Sequence, residues 1–193
     1  PTMTIQDFSQ IHWELHPQNP LIHPPRFSAV IADPSVVTPD NSPDGQWHLF
    51  AHSLWNLLHY TSFDGIQWNK PNPVVSSALR PYIFKDGDTF YLYYEKFDRL
   101  RLALSFITRK EWYSEIEVVH SKDLIHWSKP KTILKPTMTY AIEPNGGKAV
   151  SNPCLIKTTN GYRLYFSAGL VHVPDCGFNE PRYIAVAESS SPL

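Results

Sequence analysis

Thr61–Pro71 reads T-S-F-D-G-I-Q-W-N-K-P, and His120–Pro130 reads H-S-K-D-L-I-H-W-S-K-P. The copies lie 59 residues apart, and Ser, Asp, Ile, Trp, Lys and Pro recur in place at six of eleven positions. Repetition at periods of roughly 20–50 residues or somewhat more marks arrays, solenoids and propellers. Each part of the repeat has a physical reading. Ser-x-Asp-Gly/Leu is a turn that ends a strand. The Trp plugs a gap between neighbouring sheets, and Lys-Pro leads into an edge strand, where a missing N–H costs little.

Working outward, the same order of signals surrounds both copies. F-S-A-V-I-A-D-P-S-V-V precedes Asp44-Gly45, a hairpin signal, then Q-W-H-L-F-A-H-S-L and N-L-L-H-Y-T-S. L-R-P-Y-I-F-K precedes Asp86-Gly87, then D-T-F-Y-L-Y-Y-E-K-F and I-E-V-V-H-S. A third round opens S-N-P-C-L-I-K-T-T, turns at Asn160-Gly161, runs through Y-R-L-Y-F-S-A-G-L and a long loop at 171–182, and reaches Y-I-A-V-A-E-S. An insertion at 98–113 alternates at period two in L-R-L-A-L-S-F-I and predicts an extra strand or hairpin.

The plan is four-stranded antiparallel blades in an all-β propeller. A β-sandwich is the competing architecture, but it does not predict this ordered recurrence. The blades are expected at 26–76, 77–136 and 137–193, with residues 1–25 as a closing outer strand, because W-E-L-H-P-Q-N-P at Trp13 echoes W-N-K-P-N-P at Trp68. Aligning Ser189 with Ser62 and Ser121 sets Leu193 two residues before the next Trp, so about three blades of a longer propeller are expected.

Composition narrows the function. The chain has 193 residues, 13% aromatic content, 18 prolines and a net charge of -1, with no basic patch of the kind nucleic acid requires. No apolar run approaches the ~20 residues that span a membrane, and the N-terminus does not resemble a signal peptide, so neither partner is expected and a cytoplasmic location is the default. Cys154, in an apolar strand, reads as a small core residue; Cys176 lies in a loop, and both are expected reduced. With no Cys/His zinc spacing, phosphate-cradling glycine loop or Gly-x-Ser-x-Gly elbow, no metal or cofactor is expected.

Asp33-Pro34 after its apolar run, the R-P-Y-I-F-K-D-G-D-T-F-Y-L-Y-Y block and the S-x-D-G-I-x-W blade ends resemble five-bladed propeller glycosidases. The likeness is to family 43 arabinanases and xylosidases, and more distantly to family 32 fructosidases and propeller phosphorylases. It spans roughly residues 12–193 and implies glycoside hydrolysis, or binding of a carbohydrate or sugar phosphate, in a central pocket. The residue before each blade's first Pro is then expected to face that pocket, which assigns Asp33, Arg80 and Asn152. Inverting hydrolysis uses one carboxylate to activate water and a second carboxyl group to protonate the leaving oxygen. The resemblance implies that Asp33 is the base; read as a residue alone, it is equally a strand-capping turn Asp. Asn152 stands where the family carries a third carboxylate that tunes pKa, and the acidic Glu is expected in a fourth blade, so these residues by themselves are expected to be catalytically incomplete. Arg80 departs from the family and either clamps a carboxylate or phosphate or pairs with a local acid such as Glu95. Glu95 and Glu143 are further carboxylate candidates, or solvated strand-end residues. His52 and Trp55 read as a sugar platform or as packing, and Glu180 and Arg182 as ligand contacts from the long loop that also carries His172 and Asp175.

Overall fold

Residues of alternating or continuous apolar character separated by Asp-Gly and Asn-Gly turns build three antiparallel sheets. The protein is described here by a computed structural model covering residues 12–101, 112–142, 147–175 and 177–193. The first sheet holds β1 (Ile31–Val37), β2 (Trp47–Ser53), β3 (Asn56–Ser62) and β4 (Asn72–Ser76), in that order. The second repeats it with β5 (Ala78–Asp86), β6 (Thr89–Phe97), β7 (Ser114–Ser121) and β8 (Lys131–Leu134). The third contains β9 (Val150–Thr158), β10 (Gly161–Val173) and β11 (Phe178–Ser189).

The second sheet is buried on both faces, which is why β6 reads as the unbroken run F-Y-L-Y-Y. Leu92 and Tyr94 join Phe50, Leu57 and Val37 of the first sheet. Tyr93, Ile116 and Val118 join Leu155, Leu164 and Phe166 of the third. Burying each such side chain fully is worth about 1.5–3 kcal/mol. Inner strand β5 packs on β1 at one side and on β9 at the other.

The repeated turn forms twice with the same bonds. Ser62 Oγ donates to Asp64 Oδ1 (3.0 Å) and accepts from Gly65 N (2.9 Å), and Asp64 Oδ1 accepts from the N–H groups of Ile66 and Gln67 (both 2.8 Å). In the second copy Ser121, Asp123, Leu124, Ile125 and His126 make the same bonds at 2.8–2.9 Å. Gly65 and Leu124 are both left-handed, at φ 74° and 62°. A third copy is also present, with Ser191 Oγ in the place of the Asp carboxylate, accepting from Leu193 N (3.2 Å). Trp127 meets Phe50 edge-on at 5.7 Å and so seals the first two sheets, as the repeat predicts.

Four expectations need correction. Residues 12–25 form no strand; Pro17, Pro20, Pro24 and Pro25 remove ladder donors there. Residues 99–101 are helical, because Asp98 Oδ1 caps the N–H groups of Leu100 (2.8 Å) and Arg101 (3.3 Å); the rest of that predicted strand, 102–111, lies outside the described residues, as do Cys176 and Glu143. Cys154 is exposed and not in the core, since burial alternates along β9 and it is the neighbouring Leu155 that is buried. The long loop at 171–182 is a hairpin, with Val171 opposite Glu180 and Val173 opposite Phe178. Among the described residues no helix is long and apolar enough to cross a membrane.

Candidate functional site

The three inner strands share one irregularity. Asp33, Arg80 and Asn152 take φ of 54°, 52° and 49°, each immediately before a proline. The left-handed region costs a non-glycine residue about 1–2 kcal/mol, and proline disfavours the right-handed alternative for the residue before it. In each strand the strained pair forms a bulge. Ala32 pairs with His52 and Ser35 with Phe50; Leu79 pairs with Glu95 and Tyr82 with Tyr93; Ser151 pairs with Ser167 and Cys154 with Tyr165. Two residues therefore oppose one in each inner strand at the same level, and the first of them swings its side chain back over the second strand.

There it is held, each time by the residue opposite its predecessor. His52 Nε2 meets Asp33 Oδ2 at 3.0 Å. Arg80 donates to Glu95 in a close ion pair. Asn152 Nδ2 donates to Ser167 Oγ at 3.1 Å. Ser167 was not singled out from the sequence, yet a signal exists: Glu95 and Ser167 both follow their inner-strand partners by 15 residues.

The electrostatics differ from strand to strand. The hydrogen bond from His52 holds the Asp33 carboxyl below its ordinary value; partial burial opposes this, and the charges of His52 and Arg80 reinforce it. His52 presents its other nitrogen to the Ser53 carbonyl at 2.9 Å. The Asp33 side chain is half exposed and can meet a ligand. Burial acts against the Arg80 charge, but Glu95, then Asp33 and Glu180, outweigh it and raise the guanidinium pKa. Glu95 is 1% exposed, so the local pairing anticipated for Arg80 is the one that forms, and Glu95 is neither a solvated strand end nor free.

The remaining candidates spread around the same end of the sheets. Trp55 sits in the β2–β3 turn directly beyond His52, its indole N–H donating to the Phe27 carbonyl at 3.3 Å. Glu180 is near enough to stabilise the Arg80 charge. Arg182 places its guanidinium 5.0 Å from the centroid of the Tyr183 ring.

No sequence family matches the chain, and no curated protein matches it. Solved structures do. An endo-1,4-beta-xylanase from Bacteroides thetaiotaomicron superposes with a TM-score of 0.59 at 18% identity, over 84% of this chain and 51% of that one. An alpha-L-arabinofuranosidase from Lactobacillus brevis gives 0.55 at 13% identity, over 90% of this chain and 52% of that one. The fold is that of the propeller glycoside hydrolases. A Penicillium chrysogenum alpha-L-arabinanase complexed with arabinobiose gives 0.52 at 16% identity, over 83% of this chain and 46% of its own. The chain thus spans about half the length of the structures it matches, and at these identities the likeness is one of fold. Within the propeller glycoside-hydrolase fold, the three bulges place Asp33, Arg80 and Asn152 in equivalent positions of successive inner strands.

Proposed function

We propose that this chain supplies the sugar-handling face of a family 43-like glycoside hydrolase, with 26–76, 77–136 and 137–193 as successive blades of a five-bladed propeller. Asp33 acts as the general base, with His52 fixing its orientation and keeping it ionised. Arg80 and Asn152 hold sugar hydroxyls from the neighbouring strands, and Glu180 faces the same space from the β10–β11 hairpin. The single observation that carries this reading is the threefold bulge. Strain of about 1–3 kcal/mol per residue persists only where the surroundings enforce it, and here it recurs at the three residues that lead the inner strands.

A base that takes a proton from water must be ionised, and the lowered pKa of Asp33 meets that condition. Charge favours a neutral glycan over a phosphorylated one. Arg80 is already matched by buried Glu95, with Asp33 and Glu180 adding negative charge around it. Asn152 carries no charge, so the pKa tuning that a third carboxylate would provide through like-charge repulsion is missing from this strand.

The test uses aryl arabinosides and aryl xylosides, whose activated leaving groups need little protonation. Asp33→Asn is expected to lower kcat by about 10²–10⁴ with folding intact, the range typical of a lost general base. Turnover unchanged by Asp33→Asn refutes the assignment. Isothermal titration with arabinobiose tests sugar binding separately from catalysis, and affinity indifferent to Asp33→Asn refutes the pocket.

A further inference from the structure

Beside the proposed pocket lies a second concavity of about 450 Å³, lined by Thr139, Tyr140, Ile142, Leu170, Arg182 and Tyr183, with Gly169 at its floor. Its two tyrosines are 42% and 41% exposed, unusual for rings on ordered elements that could have packed inward. They meet edge to face, with ring centroids 6.4 Å apart at 80°.

The backbone fixes this arrangement in advance. Tyr140 stands on a 3₁₀ turn, Thr139–Ala141, closed by Ala141 N donating to Met138 O at 2.9 Å. That turn is tied to the third sheet through Ala149 N to Ala141 O (3.1 Å) and Gly169 N to Ala149 O (3.0 Å). Gly169 has φ 66°, and a Cβ there would meet the Tyr140 carbonyl oxygen at 2.6 Å. Only glycine lets the turn approach so closely, so the position of Tyr140 depends on it. Tyr183 stands on β11 opposite Ala168, and Arg182 lies over its ring as a cation–π pair.

Location ties the cleft to the site already described. Ser167, which holds Asn152, is two residues before Gly169 on β10. Glu180, whose charge reaches Arg80, is two residues before Arg182 on β11. Two residues of strand span about 7 Å, a distance suited to adjacent units of one oligosaccharide. The cleft offers ring faces for sugar C–H edges and a guanidinium donor for hydroxyl oxygens, the apolar lining with few placed polar groups typical of ligand sites.

We propose that the Tyr140–Tyr183–Arg182 cleft is a second sugar subsite, so that the chain takes a neutral oligosaccharide of at least two units and not a free monosaccharide. This rests on the reading of the Asp33 pocket as a sugar site and extends it.

The experiment is isothermal titration of the 193-residue chain with arabinose, arabinobiose and arabinotriose, and with xylose, xylobiose and xylotriose. In one of the two series the longer sugars are expected to bind about tenfold tighter than the monosaccharide, a step of about 1.4 kcal/mol. Tyr183→Ala and Arg182→Ala, both at exposed positions, should each remove most of that gain while leaving monosaccharide affinity unchanged. Asp33→Asn should weaken every member of the series. Affinity independent of length, or a gain that survives both cleft variants, overturns the subsite while leaving the pocket intact. A length gain lost in the cleft variants but indifferent to Asp33→Asn supports the cleft and overturns the pocket. If no member of either series binds, both fall.

Discussion

Arg80 and Glu95 give the sharpest quantitative test of how the site is built. The Glu95 carboxylate is 1% exposed and the Arg80 side chain 32% exposed. Arg80→Met therefore leaves a carboxylate that water reaches only from the vacated Arg80 side. Removing one partner of a buried pair costs about 3–5 kcal/mol, and the partial exposure of Arg80 places this case near the lower figure. Asp33 and Glu180 oppose further relief, since they share the sign of Glu95. About 3 kcal/mol corresponds to a fall in Tm of about 6–12 °C for a chain of this size. Glu95→Leu leaves Arg80 beside Asp33 and Glu180 and open to solvent, so its cost should be smaller, about 1 kcal/mol. The double variant should lie within about 1 kcal/mol of the parent, because an apolar pair of similar volume replaces a buried ion pair at little net cost. The resulting coupling is about 3–5 kcal/mol. Urea unfolding at pH 7, followed by tryptophan fluorescence with the m-value checked for constancy, measures all four species. A loss below 1 kcal/mol for Arg80→Met, or a double variant equal to the sum of the singles, refutes the reasoning.

Four further outcomes follow from named contacts. His59 is held near pKa 4 against 6.5 by burial and by the neighbouring His48, whose Nδ1 lies 2.8 Å from its Nε2; the native state refuses a proton that the unfolded chain accepts, so stability is full above pH 6.5 and falls by about 3 kcal/mol as pH drops to 4. Urea melts across that window check the slope, and a flat profile contradicts a buried neutral His59. Leu124→Gly relieves about 1 kcal/mol of left-handed strain but loses a fully buried leucine, so a net cost of about 2–4 kcal/mol is expected in thermal or chemical melts. A Cβ on Gly65 meets Trp47 at 3.2 Å, and the second copy places Phe90 and Leu124 in the corresponding register, so Trp47→Phe should partly rescue Gly65→Leu in Tm; equal instability of the single and double variants argues against the equivalence. His52→Ala removes the first cause of the lowered Asp33 pKa, so carboxyl-resolved NMR should show Asp33 titrating at higher pH than in the parent, and an unmoved titration excludes His52 as that cause.

The repeated stretch made the fold legible because its residues are chosen by local geometry. Ser62 and Asp64 bond only to backbone and to one another within the turn, and Ser121 and Asp123 make the same bonds, with the His126 ring added on Asp123 Oδ2. Such a motif reads the same in one dimension as in three. X-Pro placement likewise marked Asp33, Arg80 and Asn152, because the bulge is written into the proline that follows each. What remained hidden depended on pairing across strands. The fate of Glu95 is set by Leu79 opposite it, and the role of Ser167 by Ser151; neither partner is a sequence neighbour. The Asp98 cap overrode the period-two pattern at its start, since a side-chain acceptor two residues away satisfies N–H groups before any strand partner can. The hairpin at 171–182 looked like a loop because Pro174 and Pro181 interrupt it, though an edge strand tolerates the donor Pro181 lacks. Tyr140 and Tyr183 come from segments 43 residues apart and meet only through the close approach at Gly169.

The central claim is that Asp33, Arg80 and Asn152 form one sugar-binding surface. The most direct measurement is a crystal structure of the chain soaked with arabinobiose and, separately, with xylobiose. One disaccharide is predicted to lie across the ends of β1, β5 and β9, with its hydroxyls within hydrogen-bond distance of the Asp33 carboxylate and the Asn152 amide. Density for the sugar elsewhere, such as the groove between Asn19–Ile22 and Trp68, with the Asp33 surface bare, would contradict the account.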